Sequence, residues 1–275
     1  MIKIHHSVTN LIGKTPMLAL KTGLDVAGIY CKLECFNPTG SSDDRVANSI
    51  VEYAIAEGRL SKNGTMVEGT TGSFGLSLAM VGAAKEVQTV LVLPATVAEW
   101  WIQGIKRFGA IVETINGDFE VARIRASRLA MTLYRGAFQP LSFESDVALL
   151  SHLTTANEIW RDMEGDFEVV VLPIFLGNSM KGIVNFFKTK RQSITIVAVC
   201  IEEESSNFLI EDNSFDQTLT VPKKQAQQVA DDFTRQNGVK SGVLSGAVLY
   251  AAKNYASNMS RDEKVIAILC DSYLE

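Results

Sequence analysis

The sequence predicts an α/β fold, with mainly parallel sheets covered by helices, on three observations. Short β-branched or apolar runs alternate with longer segments whose apolar residues follow helical spacing. Two of the turns that lead into such helical segments are rich in glycine, serine and threonine. At 275 residues, 47% hydrophobic and 21% charged, the chain is long enough for one large domain or two modest ones with ordinary cores.

The strand candidates are 29–33 (IYCKL), 65–68 (TMVE), 89–93 (TVLVL), 111–115 (IVETI), 168–172 (EVVVL), 194–199 (ITIVAV) and 265–269 (VIAIL). Their length and β-branched content suit strands covered on both faces. Between them, 45–57, 74–84, 98–108, 119–134, 149–163, 179–189, 224–237 and 246–257 carry the apolar periodicity of helices. The polar, irregular stretch 139–146 separates the first strand group from a new helix and strand series, which marks a domain change. Segment 202–221 is acidic, rich in serine and asparagine and poor in apolar periodicity, so it is expected to be a loop.

The net charge of −5 argues against a nucleic-acid partner, since phosphate recognition needs clustered Lys and Arg. The single basic cluster, Lys188, Lys190 and Arg191, reads as a solvated helix end. The first twenty residues have no uninterrupted apolar stretch of the kind a signal peptide needs, and the apolar runs are too short to span a membrane. Cys31, Cys35, Cys200 and Cys270 form no CxxC pair and are expected to be reduced thiols of a cytoplasmic protein. Three dispersed histidines give no metal site, and His152, among Leu149, Leu150 and Leu153, reads as a buried histidine.

Two turns carry binding chemistry. Glu68-Gly69-Thr70-Thr71-Gly72-Ser73-Phe74-Gly75 lies between a strand and a helix, where unpaired backbone N–H groups and the helix dipole favour an anion. The hydroxyls of Thr70, Thr71 and Ser73 add donors suited to a carboxylate or phosphate, although a capped helix start without a ligand has the same spacing. In the second turn, Asn37-Pro38-Thr39-Gly40-Ser41-Ser42-Asp43-Asp44-Arg45, the two aspartates fit the cap and first turn of a helix. Asp43 is open to a second reading, as a cleft carboxylate acting as general acid or base.

With these motifs the chain resembles the cysteine synthase and cystathionine β-synthase family of pyridoxal phosphate (PLP) enzymes. Ile12-Gly13-Lys14-Thr15-Pro16-Met17 is similar to the family's IGNTPL, and Lys32-Leu33-Glu34 with Asn37 to Ser41 is similar to KLE…NPTGS. Further matches are Ala56-Glu57-Gly58, the loop from Glu68 to Gly75, Phe108-Gly109-Ala110, Thr155 with Glu158-Ile159-Trp160, Ser245-Gly246-Ala247 and Asp271-Ser272. The resemblance implies fold type II, like the tryptophan synthase β subunit, with the ligand cleft between two domains and a homodimer as the usual assembly. It places a larger domain at 1–40 and 146–275 and a smaller one at 41–145.

The resemblance also implies a departure. The family's imine-forming lysine, in NPTGSxKDR, corresponds to Asp43, whose carboxylate can form no imine. In the loop that is TSGNTG in relatives, Ser73 replaces the asparagine and Phe74 the threonine. The phosphate-binding GTGGT corresponds to Phe175, Leu176, Gly177, Asn178 and Ser179, and a glutamine of relatives to Ser142. Ser42 neighbours the lysine position, and Ser272 keeps the hydroxyl that meets the pyridine nitrogen. The expectation is therefore a chain that has lost PLP, with no cofactor and no metal. It would be a non-catalytic homologue whose Thr70, Thr71, Gly72 and Ser73 bind the carboxylate of an amino acid or of a partner's C-terminal tail. The alternative is a PLP-independent enzyme with Asp43 as acid or base. Trp100-Trp101, where relatives carry arginines, reads either as core packing or as a contact surface.

Overall fold

The computed structural model describes residues 4–21, 26–141, 146–174, 180–202 and 215–272. They form two compact units, one made of residues 1–12 and 43–148 and the other of 13–42 and 149–275.

The first unit holds a parallel sheet in the order β3 (Thr65–Gly69), β4 (Gln88–Pro94), β5 (Ile111–Ile115). Strand β4 is apolar at consecutive positions because both its faces are covered. Leu91 and Leu93 point into a core shared with α1 (Asp43–Ala56), α2 (Ser73–Lys85) and α3 (Glu99–Arg107). Val90 and Val92 point the other way, onto Ala122, Ala126 and Leu129 of α4 (Phe119–Met131). Gly69 allows this second layer to come close, since a Cβ there would lie 2.6 Å from the Arg123 Cα. Residues 1–12, which the sequence reading put with the larger domain, fall in this unit because Val8 and Ile12 pack on its core.

The second unit is a sheet in the order β1 (Met17–Ala19), β2 (Gly28–Leu33), β9 (Lys264–Leu269), β6 (Val169–Pro173), β7 (Thr195–Ile201), β8 (Gln217–Val221). Its pairs are parallel except for β1 with β2. Alternate residues of one strand serve two cores. Val265, Ala267 and Leu269 join the layer of α8 (Lys223–Asn237) and α9 (Val243–Ala256), while Ile266 and Ile268 join that of α6 (Leu153–Asp162) and α7 (Lys181–Lys190).

Three differences from the sequence reading have physical causes. β1 is three residues long, too short for alternation to register. β8 lies inside the expected loop 202–221; it is an edge strand whose Gln217, Thr218 and Thr220 are exposed, so its apolar content is low. The expected helix 149–163 is divided at His152 into α5 (Asp146–Ser151) and α6, and the chain passes from the first unit to the second within α5. His152 itself is buried. No helix among the described residues is long and apolar enough to cross a membrane.

A charged cluster lies inside the second unit. The Lys32 side chain is fully buried, with Nζ 2.9 Å from Glu158 Oε2 and donating to the Thr15 carbonyl at 2.6 Å. Glu158 Oε1 accepts from the Lys14 amide, and the Thr15 hydroxyl donates to buried Glu34. Removing one member of such a pair leaves its partner buried and uncompensated. Lys32→Ala should therefore lower stability by about 3–5 kcal/mol, read as a reduced urea midpoint for the full chain. The four cysteines are free, and burial, followed by the nearby Asp271 charge, pushes the Cys35 thiol up to about 12. Iodoacetamide at pH 8 should thus label Cys35 in the native chain far more slowly than in urea, with mass spectrometry as the readout.

Candidate functional site

The loop that follows β3 leads into α2 through a glycine cap. Thr70 is buried, its amide bonded to the Val92 carbonyl at 2.9 Å, while Thr71 is exposed. Gly72 caps α2 with φ +145°, a conformation that strains any residue with a Cβ, and it supplies no side-chain bond to the helix. The first-turn N–H groups therefore receive no bond from the side chain of the residue that caps them. Trp101 packs directly on this glycine, its Cε2 3.3 Å from where a Cβ would stand. The sequence left the tryptophan pair open between core and surface, and each reading describes one residue. Trp101 is buried, and Trp100, stacked on it with centroids 4.1 Å apart, is 44% exposed.

Asp43 joins this loop from the neighbouring helix. Ser73 Oγ donates to Asp43 Oδ2 at 2.6 Å, and one turn further on Ser77 Oγ donates to Asp44 Oδ1 at 2.6 Å. Adjacent carboxylates in the first turn of α1 thus meet hydroxyls spaced i,i+4 on α2. Asp43 stands near the N-terminal ends of two helices at once, where a negative charge is favoured by about 0.3–1 kcal/mol for each dipole. The sequence assigned Asp43 to a helix start. It gave no sign of the Ser73 and Ser77 contacts, whose only trace is their four-residue spacing. Phe74 is packed in the core of the first unit, and Glu68, also buried, accepts from the Leu141 amide at 2.8 Å.

The remaining residues singled out from the sequence belong to the second unit or fall outside the described residues. Ser42 is fully buried, its amide bonded to the Cys270 carbonyl and its hydroxyl without a hydrogen-bond partner. Ser272 Oγ donates to the Gly40 carbonyl at 3.2 Å. Asn37 fixes the turn that leads to them, accepting from the Gly13 amide and donating to the Glu34 carbonyl. Ser142 and the stretch Phe175, Leu176, Gly177, Asn178 and Ser179 lie outside the described residues. Among the described residues, no three His, Cys, Asp or Glu side chains cluster as a metal site would require.

Comparison with known proteins gives one consistent result. The profile of the family described as pyridoxal-phosphate dependent enzyme matches residues 8–209. A cysteine synthase of Staphylococcus aureus (strain Mu50) is 28% identical, over 96% of this chain and 92% of its own length. A hydrogen sulfide-producing enzyme from Fusobacterium nucleatum superposes with a TM-score of 0.91 at 26% identity, covering 99% of this chain and 98% of that one. A lysine-to-alanine mutant of O-ureido-L-serine synthase, with O-ureido-L-serine bound, superposes at 0.90 and 25% identity, covering 98% and 91%.

These matches overturn the expectation that the chain is without a cofactor, because the matched family is PLP-dependent. The inference from Asp43 went too far: it bears on a covalent bond at one side chain, and binding of the cofactor draws on other groups as well. The described residues fit the group in part. Position 43, which the resemblance aligns with the imine-forming lysine, carries a carboxylate, while the Ser42 hydroxyl next to it is buried and without a hydrogen-bond partner.

The contact between Ser77 and the buried Asp44 ties α2 to α1 whatever the site binds. Ser77→Ala should cost about 1.5–3 kcal/mol, the range for a hydrogen bond to a charged group, measured by urea denaturation. Ser73→Ala, at a partly exposed carboxylate, should cost less.

Proposed function

The chain belongs to the pyridoxal-phosphate-dependent enzyme family, in its cysteine synthase-like branch, and on that premise we propose that it is a binding and regulatory homologue that recognises a carboxylate ligand. The observation that carries the reading is the turn at the head of α2, where Gly72 supplies no side-chain cap and Thr71 is exposed, together with a carboxylate at position 43 that accepts from Ser73. Donors for a ligand carboxylate are kept. The side chain that the NPTGS resemblance assigns to imine formation has no amine, so any PLP is held without a bond from it. The ligand is a free amino acid or the C-terminal tail of a protein partner, the two sources that present such a carboxylate. The resemblance extends the reading to a cytoplasmic homodimer, and the free thiols accord with a reducing compartment.

A second reading is favoured by the 2.6 Å contact between Ser73 and Asp43: an enzyme in which Asp43 moves a proton to or from the bound ligand. It requires a turnover that Asp43→Asn abolishes in a folded protein.

Calorimetric titration of the full chain with L-amino acids and with C-terminal peptides tests the leading reading. Thr71→Ala, an exposed change that should leave folding intact, is expected to weaken binding about tenfold, as loss of one hydrogen bond to a charged group predicts. Amidation of the peptide carboxylate should do the same or more. Binding indifferent to both changes would remove the loop from the proposal. A borohydride-reducible adduct after incubation with PLP would show that another amine captures it, and would end the regulatory reading.

A further inference from the structure

Helix α4 is apolar on two faces. Its inner face seats on the first sheet, where Ala122, Ala126, Leu129 and Ala130 pack with Val67, Val90 and Val92. Its outer face carries Val121, Ile124 and Met131, which are 43, 45 and 65% exposed. With Arg128 they follow the spacing i, i+3, i+7, i+10, which lines them up along one side of the helix for about 15 Å. A surface helix needs one apolar stripe to hold it to its core, and water ordinarily meets charged or polar residues on the opposite side. Local preference does not account for the outer residues either, since valine and isoleucine are weak helix formers. The edge strand β5 adds to the same side. Its Glu113 accepts from Arg125 of α4 at 2.6 Å, and Ile111, on the same face of the strand, is 43% exposed. Single exposed apolar residues are ordinary, but a stripe of them marks a contact surface.

We propose that this face joins two copies of the chain, α4 against α4, antiparallel about a two-fold axis at Ile124. The charges along the stripe select both the occupant and the direction. Glu120 stands at its N-terminal end and Arg128 about two turns further on, and no acidic residue occurs from 121 to 135. Arg128 has no ion-pair partner among the described residues, while Glu120, bonded by Arg123, keeps a side chain that is 55% exposed. Antiparallel packing sets Ile124 on the partner's Ile124 and Glu120 beside the partner's Arg128. The axis makes each charge contact occur twice. Parallel packing would instead set arginine on arginine and glutamate on glutamate. A uniformly acidic partner or an anionic membrane would meet repulsion from Asp118 and Glu120 at the start of the helix. The interface presupposes the homodimer of the reading above and gives it a face; the carboxylate loop takes no part in it.

Sedimentation velocity of the full chain across a wide range of concentration is the test, with circular dichroism to confirm that each variant folds. Wild type should sediment as a dimer. Ile124→Asp, which sets two like charges on the axis, should weaken association at least about a hundredfold. Glu120→Arg and Arg128→Glu, each of which puts like charges opposite one another, should each weaken it about tenfold or more. An equimolar mixture of these two variants should recover the dimer, because the opposed groups are then again of opposite sign, and the doubly substituted chain should recover it too. Were Ile124→Asp to misfold, the charge-reversal series decides alone. If the dimer persists through all three substitutions, or the mixture stays dissociated, the α4 interface is wrong while the homodimer stands. If wild type is a monomer throughout, the homodimer reading falls and this interface with it. Carboxylate binding by the loop is untouched by either result.

Discussion

A lysine without access to water is tolerable only where its charge is compensated, and Lys32 meets that condition in the second unit. Its ammonium lies against Glu158 and the Thr15 carbonyl, with Asp162 at 3.8 Å. The partners are spread along the chain, so satisfying one side chain fixes the segment at 13–16, strand β2 and helix α6 together. Through the Thr15 hydroxyl the constraint reaches Glu34, and through Glu34 it reaches Asn37, which is held from the other side by the Gly13 amide. The turn 37–42 is thereby set in place before the chain enters α1. Apolar burial gives this unit most of its stability; the ionic cluster gives it one arrangement of that turn.

Much of this was readable from the sequence. Interior strands announce themselves because both faces demand apolar residues, as in VVVLP of β6 and VIAIL within β9. Edge strands do not: β8 alternates polar with apolar residues and sits in a stretch whose composition suggests a loop. The turn around Gly72 was legible because glycine and hydroxyl residues cluster there between a strand and a helix. The contact of Trp101 with that glycine was not, since it depends on how α3 lies against α2, which no local pattern encodes. The partnership of Asp43 with Ser73 was hidden for the same reason.

The reasoning about chemistry shows where a single residue stops being informative. A carboxylate at position 43 decides that this side chain forms no imine, and that conclusion follows from functional-group chemistry alone. It does not decide whether PLP resides in the protein, because phosphate and ring contacts are distributed over many groups. Family membership, established over residues 8–209, carries more weight on that question than the carboxylate at one position.

The approach of α4 to Gly69 bears on how such a protein diversifies. Because the Arg123 backbone fills the space a side chain at 69 would occupy, the root of the loop is located by main-chain contact on one side and by the β4 ladder on the other. Replacement of side chains further along the loop leaves that footing untouched. Selection can therefore revise the side chains of the loop, residue by residue, while the backbone that presents them stays where it is.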